Sequence, residues 1–210
     1  MEIRLQNISK RFQFEWIFKN LCLTIPSGSH WAITGSNGSG KSTLLKCISG
    51  IQPLTEGEIA YGPEGRETNV DEIFQHLVVS APYLELPEEF TLLEFLQFHF
   101  RFKSPKSNLD ISTMLDIMYL KGHEHKPISQ FSSGMKQRLK LGICFFSQTN
   151  LILLDEPTSN LDEKGVAWYL QLVQGFSHQA TMLICSNDSR EFSFCQNRID
   201  IEAFKAKRRL

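Results

Sequence analysis

The chain has 210 residues, a formal net charge of −1 and a hydrophobic fraction of 41%. That length fits one domain with a sizeable core, and the balanced charge offers no global attraction to nucleic acid. No stretch approaches the roughly 18 uncharged apolar residues that a membrane crossing needs, and the five scattered cysteines, without a Cys-x-x-Cys pair, argue against a disulfide framework or a zinc site.

The first residues, Met1-Glu2-Ile3-Arg4-Leu5, lack the apolar stretch of a signal peptide, so a cytosolic chain is expected. Residues 2–8 and 18–25 alternate apolar and polar positions and read as strands, the second ending at the Pro26-Ser27-Gly28 turn. Residues 31–34 form a short apolar strand running straight into a glycine-rich loop. Residues 41–49 then carry Leu44, Leu45 and Ile48 at helical spacing, with Gly50 as the stop. Residues 58–61 and 77–79 read as further strands.

From Thr91 to about Phe146 the pattern turns helical. Leu92, Leu93, Leu96 and Phe100 mark one helix; Ile111, Leu115 and Met118 mark another; Leu139, Ile143 and Phe146 mark a third over residues 135–146. Within this stretch, His123-Glu124-His125 reads as a polar turn, its histidines too close for a helical metal site. Residues 151–154 are an unbroken apolar run, as for a strand buried on both faces. Asp162 can cap a helix over 163–176, and residues 182–185 are the next buried strand. Lys205, Lys207, Arg208 and Arg209 read as a solvated tail. The expected fold is α/β, a P-loop NTPase core: a mainly parallel sheet flanked by helices, an N-terminal antiparallel β part, and a helical subdomain inserted at about residues 84–146 of one 1–210 domain.

Gly35-Ser36-Asn37-Gly38-Ser39-Gly40-Lys41-Ser42 satisfies G-x-x-x-x-G-K-[ST] between a strand and a helix, the context that pattern requires. The glycines let successive N–H groups turn toward a phosphate, and the helix adds its positive end. In this reading Ser36, Asn37, Gly38, Ser39, Gly40, Lys41, Ser42 and Thr43 bind ATP. Lys41 reaches the outer phosphates and the Ser42 hydroxyl ligates Mg²⁺. Asp155-Glu156 follows a buried strand, where open α/β sheets place ligands. Asp155 is the second Mg²⁺ residue and Glu156 the general base for the attacking water.

With these motifs in place, the chain resembles the nucleotide-binding domains of ABC transporters over nearly all its length. Phe131-Ser132-Ser133-Gly134-Met135-Lys136-Gln137-Arg138 is similar to that family's signature segment, usually Leu-Ser-Gly-Gly-Gln, and Ser159-Asn160-Leu161-Asp162 to its D-loop. The resemblance implies a head-to-tail pair of ATP-binding subunits, identical or paralogous, in which Ser132 and Gly134 complete the opposite subunit's site. It also implies a membrane-spanning permease as partner, and hence a place on the inner face of the cell membrane. Phe12 occupies the position of an aromatic that stacks on adenine, with Phe14 and Trp16 as neighbours. Tyr83, Phe95, Phe98 and Phe102 are candidates for the permease-docking groove, although for any one of them a place in the subdomain's own core is the commoner outcome.

Departures from the family pattern bear on turnover. Ala81 stands near the place of a usual glutamine, and Asn187 replaces a histidine that touches the γ-phosphate. Asn187 donates a hydrogen bond but cannot become cationic, so a working but slow ATPase is expected. A regulatory module that senses ATP, or a soluble ABC protein outside transport, are the competing readings. The Ser-Ser-Gly-Met-Lys-Gln-Arg signature in a short single domain is similar to subunits of the ABC-2 and haem-exporter groups.

Overall fold

The computed structural model describes residues 1–63, 66–107 and 109–205; Lys207, Arg208 and Arg209 of the basic tail lie outside the described residues. In chain order the elements are β1 (Ile3–Phe12), β2 (Glu15–Ile25), β3 (His30–Thr34), α1 (Lys41–Ile48), β4 (Glu56–Tyr61), β5 (Leu77–Ser80) and α2 (Leu92–Phe102). They continue with α3 (Ile111–Met118), α4 (Ser133–Phe146), β6 (Leu151–Asp155), α5 (Glu163–Phe176), β7 (Thr181–Cys185) and β8 (Asn197–Asp200).

Two sheets result. The first is antiparallel with order β2-β1-β4, the second has order β5-β6-β7-β3-β8 and pairs in parallel throughout. β6 and β7 are buried at every position, which is why they lack polar alternation. In β1 the alternation is reset by a bulge, where Asn7 takes φ 50° and the pairing with β4 shifts between Gln6 and Ser9. Ile3, Leu5 and Ile8 all stay inside as a result. Gly57 faces that bulge at φ +82°; a Cβ there would lie 2.5 Å from the carbonyl oxygens of Gln6 and Asn7.

β8 escaped the sequence reading. Its Asn197-Arg198-Ile199-Asp200 run buries only Ile199, because it is an edge strand held by β3 alone, so no apolar run marks it. The helical stretch is built on α2, α3 and α4. Thr91 and Glu94 form a capping box that starts α2, and Asp110 caps α3 through the Thr113 N–H. Leu92, Phe95 and Leu96 turn inward against Met114, Leu115, Met118, Leu139 and Phe145. Phe95 therefore fills the core and does not belong to a docking face, whereas Phe98 and Phe102, three and seven positions further on, are exposed and meet edge to face at 5.1 Å. His123 to His125 lie in turns, as does Lys121-Gly122 before them.

α2 is tied to the end of α4 by His99, whose Nε2 lies 2.9 Å from the Ser147 hydroxyl. That hydroxyl donates to Ile143 O at 2.6 Å, so the imidazole must act as donor. Burial, then the nearby Lys103 charge, pulls the His99 pKa down to about 4. Unfolding frees an imidazole that takes up a proton the folded one refuses, so stability is lost as pH falls from about 6.5 toward 4. We expect His99→Gln to flatten this part of the urea-denaturation profile, removing up to about 1.4 kcal/mol of slope per pH unit.

Candidate functional site

Because β3, β5, β6 and β7 run in parallel, their C-terminal ends open on one edge of the sheet. Gly35 follows β3, Ala81 follows β5, Glu156 follows β6 and Ser186-Asn187 follows β7. The loop after β3 turns on Gly35, Gly38 and Gly40, at φ +144°, +75° and +109°. A Cβ on Gly35 would sit 2.7 Å from Ser39 Oγ and 2.8 Å from Ile201 Cγ2, and one on Gly40 would overlap the Ile17 side chain. Both positions therefore need glycine for space as well as for φ.

The loop encloses a cavity of about 240 Å³ lined by Asn37, Gly38, Ser39, Gly40, Lys41, Ser42, Thr43, Glu156 and Ile17. Lys41 Nζ donates to Gly35 O at 2.8 Å and to Ser36 O at 3.1 Å, so the loop is curled around its own ammonium. Ser39 Oγ is buried without a hydrogen-bond partner, an orphaned polar group inside this cradle. The N-terminal amides of α1 point the same way. Ser36 faces elsewhere: its N–H donates to Glu202 Oε1 at 3.0 Å and its hydroxyl donates to the same oxygen. Those bonds, the hydroxyl's first, hold the Glu202 carboxyl below its usual range.

Asp155 ends β6 in a buried position. Burial pushes its carboxyl pKa up, opposed by a hydrogen bond from the Ser42 side chain and by the charges of Lys41 and Lys46. Glu156 then takes φ +46°, a left-handed conformation costly for a residue with a Cβ. Its N–H donates to Cys185 O at 2.9 Å, and Ser159 N–H donates to Glu156 O at 3.1 Å. The turn carries the Glu156 side chain to the loop cavity and also to a second cavity of about 330 Å³, lined in part by Asn37, Asn187 and Glu191. Asn187 Nδ2 donates to Asn37 Oδ1 at 2.6 Å, joining the end of β7 to the loop.

Three of the sequence candidates lie apart from this cluster. Ser132 caps α4, its hydroxyl accepting from Met135 N–H at 3.2 Å, and Gly134 follows in the first turn; neither lines the loop cavity. Phe12 is half-exposed at the end of β1 with Lys10 Nζ 4.9 Å from its ring centre, and Ile17, from β2, is the hairpin residue at the cavity. Sequence reasoning missed other participants. Tyr83 was assigned to docking, yet its ring lies 3.8 Å from Lys46 Nζ, one helical turn beyond Ser42. Burial first, and then the Asp155 charge, push its phenol up. A signal existed: β5 pairs Ser80 with Leu154, so residues just after Ser80 must lie beside Asp155. Gln137 is buried on α4 and donates to Pro157 O at 2.6 Å, a link no local pattern announces.

A glycine loop closing on Lys41 after β3, with acidic residues at the end of β6 across β7 in the same parallel sheet, defines a P-loop nucleotide-binding α/β protein. Residues 18–159 match the ABC transporter family profile. An ABC transporter ATP-binding protein of Bacillus subtilis (strain 168), itself described as uncharacterized, is 31% identical over 205 residues, covering 95% of this chain and 92% of that one. The cytochrome c biogenesis ATP-binding export protein of Haemophilus influenzae is 28% identical over 207 residues, 98% of each chain. A dimeric ATP-binding cassette solved in a post-hydrolysis state with ADP and phosphate superposes with a TM-score of 0.81 at 22% identity, over 95% of both chains. The chain belongs to the ABC transporter ATP-binding family.

Gly40→Ala would force a side chain against Ile17 at a φ that L-residues avoid. We expect it to weaken binding of a fluorescent ATP analogue by at least about tenfold, corresponding to roughly 1.4 kcal/mol or more of loop strain. Gly175→Ala is the control, since nothing lies within 4 Å of its added Cβ and its φ is an ordinary helical one.

Proposed function

We propose that the chain is the ATP-binding and ATP-hydrolysing subunit of an ABC transporter, driving a membrane-spanning partner by closing on a second ATP-binding subunit. The observation that carries this reading is the convergence of Lys41, the Ser42–Asp155 pair and Glu156 on the cavity of loop 35–42. The orphaned Ser39 hydroxyl, the loop amides and an ammonium now spent on the loop's own carbonyls suit a polyphosphate.

The Ser42 hydroxyl and the Asp155 carboxylate are adjacent hard oxygen donors, and burial already raises the Asp155 pKa, so a divalent cation would relieve it. This donor set fits Mg²⁺, which when bound supplies charge neutralisation on the β- and γ-phosphate oxygens. Lys41 exchanges its carbonyl partners for phosphate oxygens and stabilises the charge that builds there. Glu156 orients a water molecule and takes its proton as the water oxygen bonds to the γ-phosphorus and the bond to ADP breaks. Asn37 and Asn187, already hydrogen-bonded to each other, bring neutral amides to the outer phosphate. The lack of a cation at Asn187 slows turnover, by roughly 10²-fold on the scale of one lost oxyanion donor.

In this reading residues 1–210 are one domain with a helical subdomain over about 84–146. Ser132 and Gly134, at the start of α4 and away from the loop cavity, serve the opposite subunit's nucleotide, and Phe12 offers its half-exposed ring to adenine. The dimeric state of the structural neighbour with ADP and phosphate supports that pairing. The exposed Phe98 and Phe102 of α2 form the face for the permease. Among the described residues no helix is long and apolar enough to cross a membrane, so membrane association would come through that partner, from the cytoplasmic side. The Haemophilus export protein supports transport as the work done.

The test is hydrolysis by the full chain and by Glu156→Gln. We expect kcat to fall by about 10²-fold or more in the variant with nucleotide affinity kept or raised, because the change removes the base and leaves the cradle intact. Equal rates in the two proteins would contradict the assignment.

A further inference from the structure

Among the described residues, Glu191 is a buried charge outside the roles assigned above. It sits in the short turn Ser189–Phe192 after β7 and is 3% exposed. Its Oε1 accepts from the Thr158 N–H at 2.7 Å and from the Thr158 hydroxyl. Its Oε2 is buried and has no hydrogen-bond partner. The adjacent cation, Arg190, is committed to Asp188 at 2.6 Å. A buried carboxylate with one unmatched oxygen and no ion pair is expensive, and a core built for stability alone would favour an apolar residue here.

Glu191 is also held firmly. Its carbonyl accepts the Tyr169 hydroxyl of α5 at 2.9 Å, and its N–H donates to Asp188 O at 3.0 Å. The carboxylate is thus aimed at Thr158 by a rigid frame. Thr158 stands two residues past Glu156, whose φ of +46° persists only if its surroundings enforce it. The enforcing contacts are Cys185 O on the Glu156 N–H, Gln137 on Pro157 O and Glu191 on Thr158. Of these, Glu191 is the side chain that comes from the segment following β7, which carries Asn187, and it lines the 330 Å³ cavity with Glu156, Asn37 and Asn187.

We propose that Glu191 is a positioning residue for hydrolysis: by fixing Thr158 through Oε1 it sets where the Glu156 carboxylate points relative to the loop that holds the phosphates. The corner Glu156-Pro157-Thr158 is short and proline-stiffened, so displacement at Thr158 is transmitted to Glu156. The inference rests on the hydrolytic reading of Glu156 given above. It adds a side-chain tie to the backbone bond from Glu156 N–H to Cys185 O, so the ends of β6 and β7, with the base and Asn187, are coupled at two points.

The test compares the full chain with Glu191→Ala and Glu191→Gln. Three quantities are measured: kcat for ATP, the Kd of a fluorescent ATP analogue with Mg²⁺, and amide hydrogen exchange over residues 156–162. Glu191→Ala is expected to lower kcat by on the order of 10²-fold, the effect of misplacing a reacting group by about 1 Å. Kd should stay within about twofold of wild type, because the cradle is elsewhere. Exchange should rise over residues 156–162 and not in β1 and β2. Glu191→Gln keeps an oxygen that accepts from Thr158 and should recover kcat to within about threefold of wild type.

A Glu191→Ala protein with unchanged kcat overturns the proposal. So does a parallel loss of kcat and affinity, which would mark general loosening, and so does a glutamine variant as slow as the alanine one. If the wild-type chain proves not to hydrolyse ATP, the hydrolytic reading fails and hydrogen exchange still decides: protection over 156–162 that survives Glu191→Ala refutes the positioning, and protection lost in alanine but kept in glutamine upholds it.

Discussion

The ammonium of Lys41, bonded to the carbonyls of Gly35 and Ser36, is the interaction around which the molecule is arranged. It holds the loop in a closed curl with three left-handed glycines, a conformation without a regular hydrogen-bond ladder of its own. The walls of that curl come from distant parts of the chain. Ile17 of β2 packs against Gly40, Ile201 against Gly35, and Glu202 takes the Ser36 amide. The antiparallel hairpin and the last turn thus serve one purpose, to keep a strained loop in a shape that leaves its amides and the Ser39 hydroxyl facing inward. On the proposed function, a phosphate binding there would displace the carbonyls from Lys41 and meet a loop already curled, so little ordering cost would oppose it.

The second constraint is the parallel sheet. Parallel pairing of β5, β6, β7 and β3 fixes Asp155, Glu156, Asn187 and the loop on one edge, at the cost of burying β6 and β7 on both faces. Strands buried on both faces are apolar along their middle, so the chemistry sits at and just past their C-terminal ends: the raised carboxyl of Asp155 closes β6 and the strained φ of Glu156 follows it. The helical stretch is fastened to this edge by a buried contact, Gln137 of α4 holding Pro157, and just before that stretch Tyr83 lies against Lys46 of α1. Movement of α4 would therefore be felt at the corner that carries Glu156.

Much of this was legible in the sequence because it is local. The glycine pattern of residues 35–42, the apolar runs of β6 and β7, and the caps at Thr91, Asp110 and Asp162 each announce themselves within a few residues. The illegible parts are long-range. β8 is an edge strand whose polar residues mark no period, and only pairing with β3 makes it a strand. Phe95 and Phe98 are neighbours three positions apart on one helix, so period does not separate them; only the packing of α3 and α4 against α2 buries the first and leaves the second exposed. Tyr83 and Glu191 carry no motif; their places depend on strand register and on a turn 33 residues from Thr158.

Isothermal titration of Mg²⁺-ATP into the full chain and into Lys41→Ala shows whether the loop around this ammonium holds the nucleotide. One site per chain is expected in the wild type, weakened by about 30-fold or more in the variant, the scale of losing charge-assisted hydrogen bonds. Indistinguishable binding heats from the two proteins, or no saturable binding by the wild type, would contradict it.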